Sequence, residues 1–188
     1  MNTITIPYKP RELQQQIHKD LKRFNVLVCH RRFGKTVLTV NELIKKCLQC
    51  TLPRPRFYYI APTYSMAKRI AWDYLKYYTS VLPNMDYHET LKGLYIDGVV
   101  LDEVAQMPPK MWTEVIRPAL SDREGFMIAI GTPQGHNSFF DLYNHGLHND
   151  KWYATKFKAS ETKVVKEEEL AEAKSLMPPE IYNLFART

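Results

Sequence analysis

Long apolar runs are missing from this sequence of 188 residues. No stretch approaches the roughly 18 consecutive apolar residues that a membrane-spanning helix requires. The first five residues also lack the basic-then-apolar pattern of a signal peptide. The sequence therefore predicts a protein without membrane association that stays in the cell where it is made.

Cysteine and glycine are scarce, with 3 and 7 residues respectively. Three cysteines do not make a disulfide framework, and Cys47 with Cys50 form a CxxC pair that has no second pair of ligands. We expect no zinc there and interpret the two thiols as neighbours on a helix. A composition of 45% hydrophobic and 24% charged residues is typical of a globular chain, and its length suits about one domain.

The charge is divided unevenly along the chain. Residues 1–94 contain 16 Lys and Arg against 6 Asp and Glu, whereas residues 95–188 contain 10 against 14. The net charges are thus +10 and −4, which add to the total of +6. A polyanion would be drawn to the first half, and the alternative is a basic surface that is simply solvated.

Apolar segments alternate with amphipathic ones, which predicts an α/β fold with a mainly parallel sheet flanked by helices. The expected strands are 25–29, 57–61, 95–101, 126–130 and 152–158, and the expected helices are 11–23, 34–50, 64–82, 111–120, 139–145 and 166–174. Such a sheet binds its ligands at the carboxyl ends of the strands. His18 is interpreted as a helix-surface residue, and the tyrosines at 58, 59, 74, 77 and 78 as packing residues.

The segment Cys29–Thr36 joins the first strand to the first long helix and ends in Gly-Lys-Thr. A loop of this kind presents backbone N–H groups and a helix dipole to phosphate oxygens. Lys35 would then reach the β- and γ-phosphates, and the Thr36 hydroxyl would hold Mg²⁺. Cys29 stands where the usual first glycine would be, so a chance Gly-Lys-Thr in a basic loop is the alternative.

Two further strands end in polar residues that complete such a site. Asp102 and Glu103 follow an apolar strand, where Asp102 can bind Mg²⁺ through water and Glu103 can orient and deprotonate the attacking water. Gly131 and Thr132 follow the next strand and place a hydroxyl where the γ-phosphate would lie. The alternatives are a solvated loop start and an ordinary strand-to-turn transition.

Taken together, these segments resemble the N-terminal ATPase domain of the large terminase subunit of tailed bacteriophages. Residues 8–18 resemble its adenine-recognition segment, 30–36 its deviant Walker A loop, 60–64 the strand after it, 99–106 Walker B, and 116–120 with 130–133 the coupling motif. The resemblance covers nearly the whole chain. It implies a P-loop NTPase of the RecA/ASCE type.

The resemblance also implies function and partners. It implies an ATP-hydrolysing, Mg²⁺-dependent motor that moves double-stranded DNA into an empty capsid. The partners would be the portal protein, the small terminase subunit and further copies of the chain in a ring. Its place would be the cytoplasm of the infected bacterial host, transiently at the portal vertex of the procapsid.

The resemblance assigns roles to single residues as well. Glu103, Lys35 and Arg31 would serve catalysis, with Arg31 near the γ-phosphate, and Gln14 would contact the adenine. The remaining nucleotide-binding residues would be Arg32, Phe33, Gly34 and Thr36, and the coupling residues would be Gly131, Thr132 and Pro133.

The chain departs from the family pattern in three ways. The ATPase domain is expected at residues 1–159 and the start of a linker or lid subdomain at 160–188, without the usual C-terminal nuclease domain. The segment 83–90 is shorter than in the family, by about one hairpin. Lys92 holds the position of an arginine that is a candidate trans-acting residue, and lysine lacks its planar fork.

Two other functions stay open at this stage. The chain could be a truncated or degenerate copy that binds nucleotide or DNA without motor activity. A helicase-like ATPase shares the sheet and the P-loop, but the sequence contains no second ATPase domain.

Overall fold

The computed structural model describes residues 5–82, 95–132, 134–162, 164–179 and 182. The strands are β1 (Phe24–Cys29), β2 (Phe57–Ile60), β3 (Gly98–Leu101), β4 (Phe126–Gly131) and β5 (Trp152–Phe157). They form one sheet in the order β2-β3-β4-β1-β5, and every neighbouring pair is parallel. The predicted α/β fold with a parallel sheet is therefore confirmed.

Helices follow the strands in the predicted order. They are α1 (Glu12–Asp20), α2 (Lys35–Gln49), α3 (Tyr64–Ala67), α4 (Asp73–Thr79), α5 (Arg117–Ala119), α6 (Ser138–Leu147), α7 (Ala159–Thr162) and α8 (Glu167–Leu176). Wider π-type turns cover Lys68–Trp72 and Met111–Ile116, and Val104–Gln106 forms a 3₁₀ turn. The bounds of the predicted segments differ from these by up to three residues. Short elements such as α7 were not predicted, because four residues carry no periodic signal.

Both faces of the sheet are covered, which explains why its strands are apolar without alternation. All six residues of β1 are buried. Val26 and Val28 point into one hydrophobic cluster, which α6 helps to cover, and Leu27 and Cys29 point into the other. Leu38 of α2 packs in this second cluster, so α2 is held rigidly against the strand that precedes it.

Helix α1 is tied to α2 by a buried polar cluster. The Nδ1 atom of His18 lies 2.6 Å from Oε2 of Glu42, whose side chain is only 1% exposed. The Tyr8 hydroxyl lies 3.0 Å from Nε2 of the same imidazole, and Lys45 Nζ approaches the carboxylate at 3.4 Å. The interpretation of His18 as a surface residue was therefore wrong, because the ring bridges two elements.

The tyrosines divide into two groups. Tyr58 and Tyr59 pack against the hydrophobic clusters, and Tyr78 is buried between α2 and α4. Tyr74 and Tyr77 are 41% and 58% exposed, so the packing prediction was wrong for these two. The π-type turn just before α4 adds a residue to one turn, which changes the direction in which the following side chains point.

The C-terminal residues form a small cluster of their own. Ala159 of α7 packs with Val165 and Leu170 of the following segment, and Tyr182 lies against them. Helix α7 spans the predicted boundary between residues 159 and 160, which stays a prediction. None of the helices in the described part of the chain is long and apolar enough to cross a membrane.

Candidate nucleotide-binding site

Three loops meet at the carboxyl edge of the sheet. Val28 of β1 is paired with Gly131 of β4, and Leu101 of β3 with Ala129. Because the strands are parallel, the loops that follow β1, β3 and β4 leave on the same side of the sheet. This edge brings together the loop at residues 30–34, the adjacent carboxylates at 102 and 103, and the hydroxyl at 132.

The loop after β1 bends through two residues with positive φ. Arg32 has a φ of 67° and Gly34 a φ of 83°, and Gly34 caps the start of α2. A Cβ atom at position 34 would lie 2.7 Å from Nη2 of Arg11, the flexible end of a side chain, so it is the positive φ that favours glycine here. The Phe33 ring is buried against Phe157, at 4.9 Å between centroids. Phe33 therefore anchors the loop, and only its backbone faces the site.

Helix α1 supports the loop from behind. Gln14 is only 4% exposed, and its Nε2 lies 3.5 Å from the Phe33 carbonyl oxygen and 3.3 Å from that of Gly34. Its Oε1 accepts a hydrogen bond from the Arg11 backbone N–H at 3.0 Å, and the Arg11 guanidinium also donates to the Phe33 carbonyl. Gln14 thus contacts the backbone of the loop, and its contact with adenine stays a prediction.

Glu103 lies between the loop and the strand end after β4. The Lys35 ammonium is 3.6 Å from Oε1 of Glu103, and the Thr132 hydroxyl donates to Oε2 at 3.3 Å. The two charged side chains are 13% and 18% exposed, so both can still be reached by a ligand or a water molecule. Glu103 has a φ of 51°, an uncommon backbone conformation for this residue type that is typical of functional sites.

The Asp102 side chain has different partners from that of Glu103. Its side chain is buried, with Oδ1 accepting the Glu103 backbone N–H at 2.9 Å and Oδ2 accepting the Tyr59 hydroxyl. Burial raises the pKa of this carboxyl, while the Tyr59 hydrogen bond acts in the opposite direction. Burial and the Asp102 charge raise the pKa of Tyr59, which the Thr36 side chain also contacts. The Tyr59 hydroxyl therefore contacts both Asp102 and Thr36.

Asp102 and Thr36 have the donor chemistry that Mg²⁺ prefers beside a nucleotide. Mg²⁺ is usually held by one or two protein oxygens, several waters and the phosphates of the substrate. One buried carboxylate and one nearby hydroxyl suit such a site. The described residues contain no cluster of three or more His, Cys, Asp or Glu side chains that could hold a metal ion.

Comparisons with known proteins find similar sequences and similar folds. No family model matches the chain. It is 26% identical over 180 residues to the terminase large subunit of Thermus phage G20c, in an alignment covering 74% of this chain and 37% of that protein. The large terminase ATPase domain of Thermus phage P74-26 superimposes with a TM-score of 0.82 at 20% identity, over 97% of this chain and 94% of that one.

The chain is similar in sequence and in fold to phage large terminase subunits. A further structural neighbour is the large terminase of a thermophilic bacteriophage in complex with ATP-gamma-S, with a TM-score of 0.72 and 14% identity over 92% of this chain and 50% of that one. The chain spans 37% of the length of the curated terminase relative. The resemblance identified from the sequence motifs is thus confirmed by sequence and by fold.

The other predicted terminase site residues are placed as follows. Arg31 and Arg32 are exposed on the loop after β1. Gly131 ends β4, and a Cβ atom there would lie 3.2 Å from Cε1 of Phe139. The predicted coupling residue Pro133 and the predicted trans-acting Lys92 lie outside the described residues.

Sequence reasoning missed several residues at this edge. Tyr59, which touches both Asp102 and Thr36, looked like an ordinary strand residue. Arg69 and Tyr74 line a cavity of about 390 Å³ together with the loop residues, although they are more than 30 positions further along the chain. The parallel pairing of β2 with β3 explains the position of Tyr59, since it places Tyr59 beside Val100 of the strand that Asp102 follows.

Proposed function

We propose that this chain is the ATP-hydrolysing motor domain of a phage large terminase, and that it drives double-stranded DNA into the procapsid. The observation that carries the proposal is the contact between Lys35 and Glu103 across two loops of the sheet edge. A P-loop lysine beside a carboxylate after the neighbouring strand is the arrangement needed to bind phosphates and to activate water.

Each residue has a distinct part in this mechanism. The N–H groups at the start of α2 and the Lys35 ammonium bind the β- and γ-phosphates. Arg31, exposed on the same loop, adds positive charge near the γ-phosphate. Glu103 orients the attacking water and accepts its proton, and the Thr132 hydroxyl holds the carboxylate in place.

Thr36 and Asp102 would hold Mg²⁺ in the loaded site. The ion would supply charge neutralisation at the phosphate oxygens. Because Asp102 is fixed by Tyr59 and by the Glu103 N–H, it is preorganised for this part. The two neighbouring carboxylates therefore serve different tasks.

The partners belong to the same proposal. We place the chain in a homo-oligomeric ring at the portal vertex, with the portal protein and the small terminase subunit, in the cytoplasm of the infected host. The support is the homology to terminase large subunits and the net charge of +10 on residues 1–94, which suits a DNA backbone. Residues 1–159 form the proposed ATPase domain, and residues 160–188 begin a linker or lid.

The test is ATP turnover and nucleotide binding by the Glu103→Gln variant. The amide keeps the shape but cannot accept a proton, so we expect a loss of turnover of about 10²- to 10⁴-fold with ATP affinity retained. Lys35→Ala should lose ATP affinity itself. Glu114→Gln is the matched control, since Glu114 forms an exposed ion pair with Lys110 away from the site.

DNA-stimulated turnover tests the motor part of the proposal. Turnover of the unsubstituted chain should rise when double-stranded DNA is added. Binding of ATP without turnover, in the presence and absence of DNA, would instead favour a degenerate copy that only binds nucleotide. Unchanged turnover in Glu103→Gln would overturn the assignment of the catalytic carboxylate.

A further inference from the structure

The cavity beside the P-loop has two walls that are distant in sequence. One wall is the start of α2, with Lys35, Thr36 and Val37. The other wall is the helical segment after β2, with Ile70 and Tyr74. Its volume of about 390 Å³ lies within the range of small-molecule sites. Because the phosphate-binding residues lie in the first wall, a ligand held by its phosphates would extend toward the second.

The second wall is built so that an aromatic ring faces the cavity. Ile70 and Tyr74 both line the cavity from this segment. The π-type turn at Lys68–Trp72 lies at this point, and such wide turns occur frequently at functional sites. Tyr74 is 41% exposed and lies parallel to the buried Tyr78 ring, at 6.3 Å between centroids. Tyr78 thus supports Tyr74 from the protein side.

The same wall carries a positively charged side chain, that of Arg69. Arg69 lines the cavity and is exposed, and its guanidinium has no ion-pair or hydrogen-bond partner among the described residues. Arg32 lines the opposite side of the cavity. An apolar and aromatic surface with guanidinium groups at its edge suits a ligand with a flat ring and an anionic group.

We propose that Ile70 and Tyr74 form a shelf for the base of the bound nucleotide, with the base stacked on the Tyr74 ring. The proposal rests on the proposed function, because it takes the phosphates to lie at Lys35 and Thr36. It adds a contact for the nucleoside half of the substrate, from a segment other than α1, which carries Gln14. Stacking on tyrosine tolerates different bases, so the shelf supplies affinity more than selectivity.

The test compares two ligands that share the phosphates and differ in the base. Binding of ATP and of inorganic tripolyphosphate, both with Mg²⁺, is measured by calorimetry on the full chain. Tyr74→Ala should weaken ATP binding about tenfold, equivalent to about 1.4 kcal/mol, and leave tripolyphosphate binding within about twofold. Tyr74→Phe keeps the ring and should bind ATP as the unsubstituted chain does.

Tyr77→Ala is the matched control. Tyr77 lies on the same helix, is 58% exposed and does not line the cavity, so its removal should change neither affinity. Equal loss of ATP and tripolyphosphate affinity in Tyr74→Ala would mean that the ring shapes the P-loop, and it would overturn the shelf.

Three further outcomes separate the shelf from the function on which it rests. If the unsubstituted chain binds ATP and Tyr74→Ala binds it equally well, the shelf is wrong and the proposed function stands. If Tyr74→Ala instead loses affinity for a double-stranded oligonucleotide alone, this surface contacts DNA and the shelf is likewise wrong. If the unsubstituted chain binds neither ATP nor tripolyphosphate, both proposals fail.

Discussion

The buried contact between His18 and Glu42 gives a stability prediction that the structure defines well. Glu42 lies on α2, and its Oε2 is 2.6 Å from the imidazole of His18 on α1. The substitution His18→Ala removes this partner and leaves a buried carboxylate beside Lys45 alone. Because α1 also delivers Arg11 and Gln14 to the P-loop, the contact helps to hold the candidate site.

The cost can be estimated from the environment of the two groups. Leaving a buried carboxylate without its hydrogen-bonded partner costs about 3–5 kcal/mol. His18 is 14% exposed and Lys45 remains at 3.4 Å, so solvent and the lysine compensate part of the loss. We expect His18→Ala to lower the free energy of unfolding by about 2–3 kcal/mol, equivalent to roughly 4–12 °C in melting temperature.

The pH dependence has a definite sign. Burial by itself would raise the pKa of Glu42, but the His18 hydrogen bond and the Lys45 charge outweigh it, so the pKa lies below its ordinary value of 4.5. A carboxyl with a lowered pKa in the folded state contributes stability above its unfolded value. This contribution is lost as the pH falls through the folded value. The difference between His18→Ala and the unsubstituted chain should therefore shrink below about pH 4.5.

The assay is urea unfolding at pH 7 and at several acidic values. The double variant His18→Ala/Glu42→Gln should cost less than the sum of its single variants, since the second substitution removes the uncompensated charge. His148→Ala, at an exposed helix end, is the control. A cost below about 0.5 kcal/mol for His18→Ala, the range of ordinary surface substitutions, would refute the reasoning, as would strict additivity.

Three further predictions concern the core and the P-loop. Gly98→Ala would push a Cβ atom into the Phe126 ring, so urea unfolding should show a loss of about 1–3 kcal/mol. Burial raises the pKa of the Cys29 thiol to about 12, so mass spectrometry after iodoacetamide at pH 8 should find it unlabelled until urea is added. Burial lowers the pKa of His30, whose Nε2 lies 2.8 Å from the Thr162 hydroxyl. Its contribution to stability is therefore complete above its unfolded pKa of 6.5 and lost as the pH falls through the folded value, so stability should depend less on pH between 8 and 5 in His30→Ala.

Each of these three predictions has a control or a result that would contradict it. Phe126→Leu should restore part of the stability of Gly98→Ala, and equal stability of Gly98→Ala and the unsubstituted chain would contradict the packing. Cys50, which is partly exposed, serves as the internal standard that must react first. An unchanged slope of stability against pH in His30→Ala would show that His30 does not carry the effect.

The order of motifs was predictable because it depends on neighbours in sequence. A fully buried parallel strand is apolar throughout, so β1 and β3 stand out in the chain, and the polar residues that follow them fall at the same edge. The parallel sheet then placed Lys35 and Glu103 within 3.6 Å of each other. This much of the candidate site follows from strand order alone.

Other features depend on contacts that no local pattern contains. His18 and Glu42 are 24 positions apart, and each alone resembles a solvated residue on a polar helix. The exposure of Tyr74 and Tyr77 depends on the π-type turn at Lys68–Trp72. A regular helix period, continued through that turn, assigns the wrong side to every residue after it. The cavity could not be predicted either, because its two walls come from segments that are distant in sequence.

Glu103 connects nucleotide binding to the strand end after β4. In the structure its carboxylate is shared between the Lys35 ammonium and the Thr132 hydroxyl. Under the proposed function, phosphates arriving at the loop compete for Lys35, so the carboxylate loses its cation and keeps its contact with Thr132. Its backbone has a φ of 51°, and its N–H donates to Oδ1 of Asp102 at 2.9 Å. We propose that occupancy of the P-loop is transmitted in this way to residues 131 and 132, whereas Asp102 keeps its hydrogen bond from Tyr59. Under this proposal the two adjacent carboxylates serve one reaction in different ways, because Glu103 exchanges its cation when the substrate binds whereas Asp102 keeps the hydrogen bond from Tyr59.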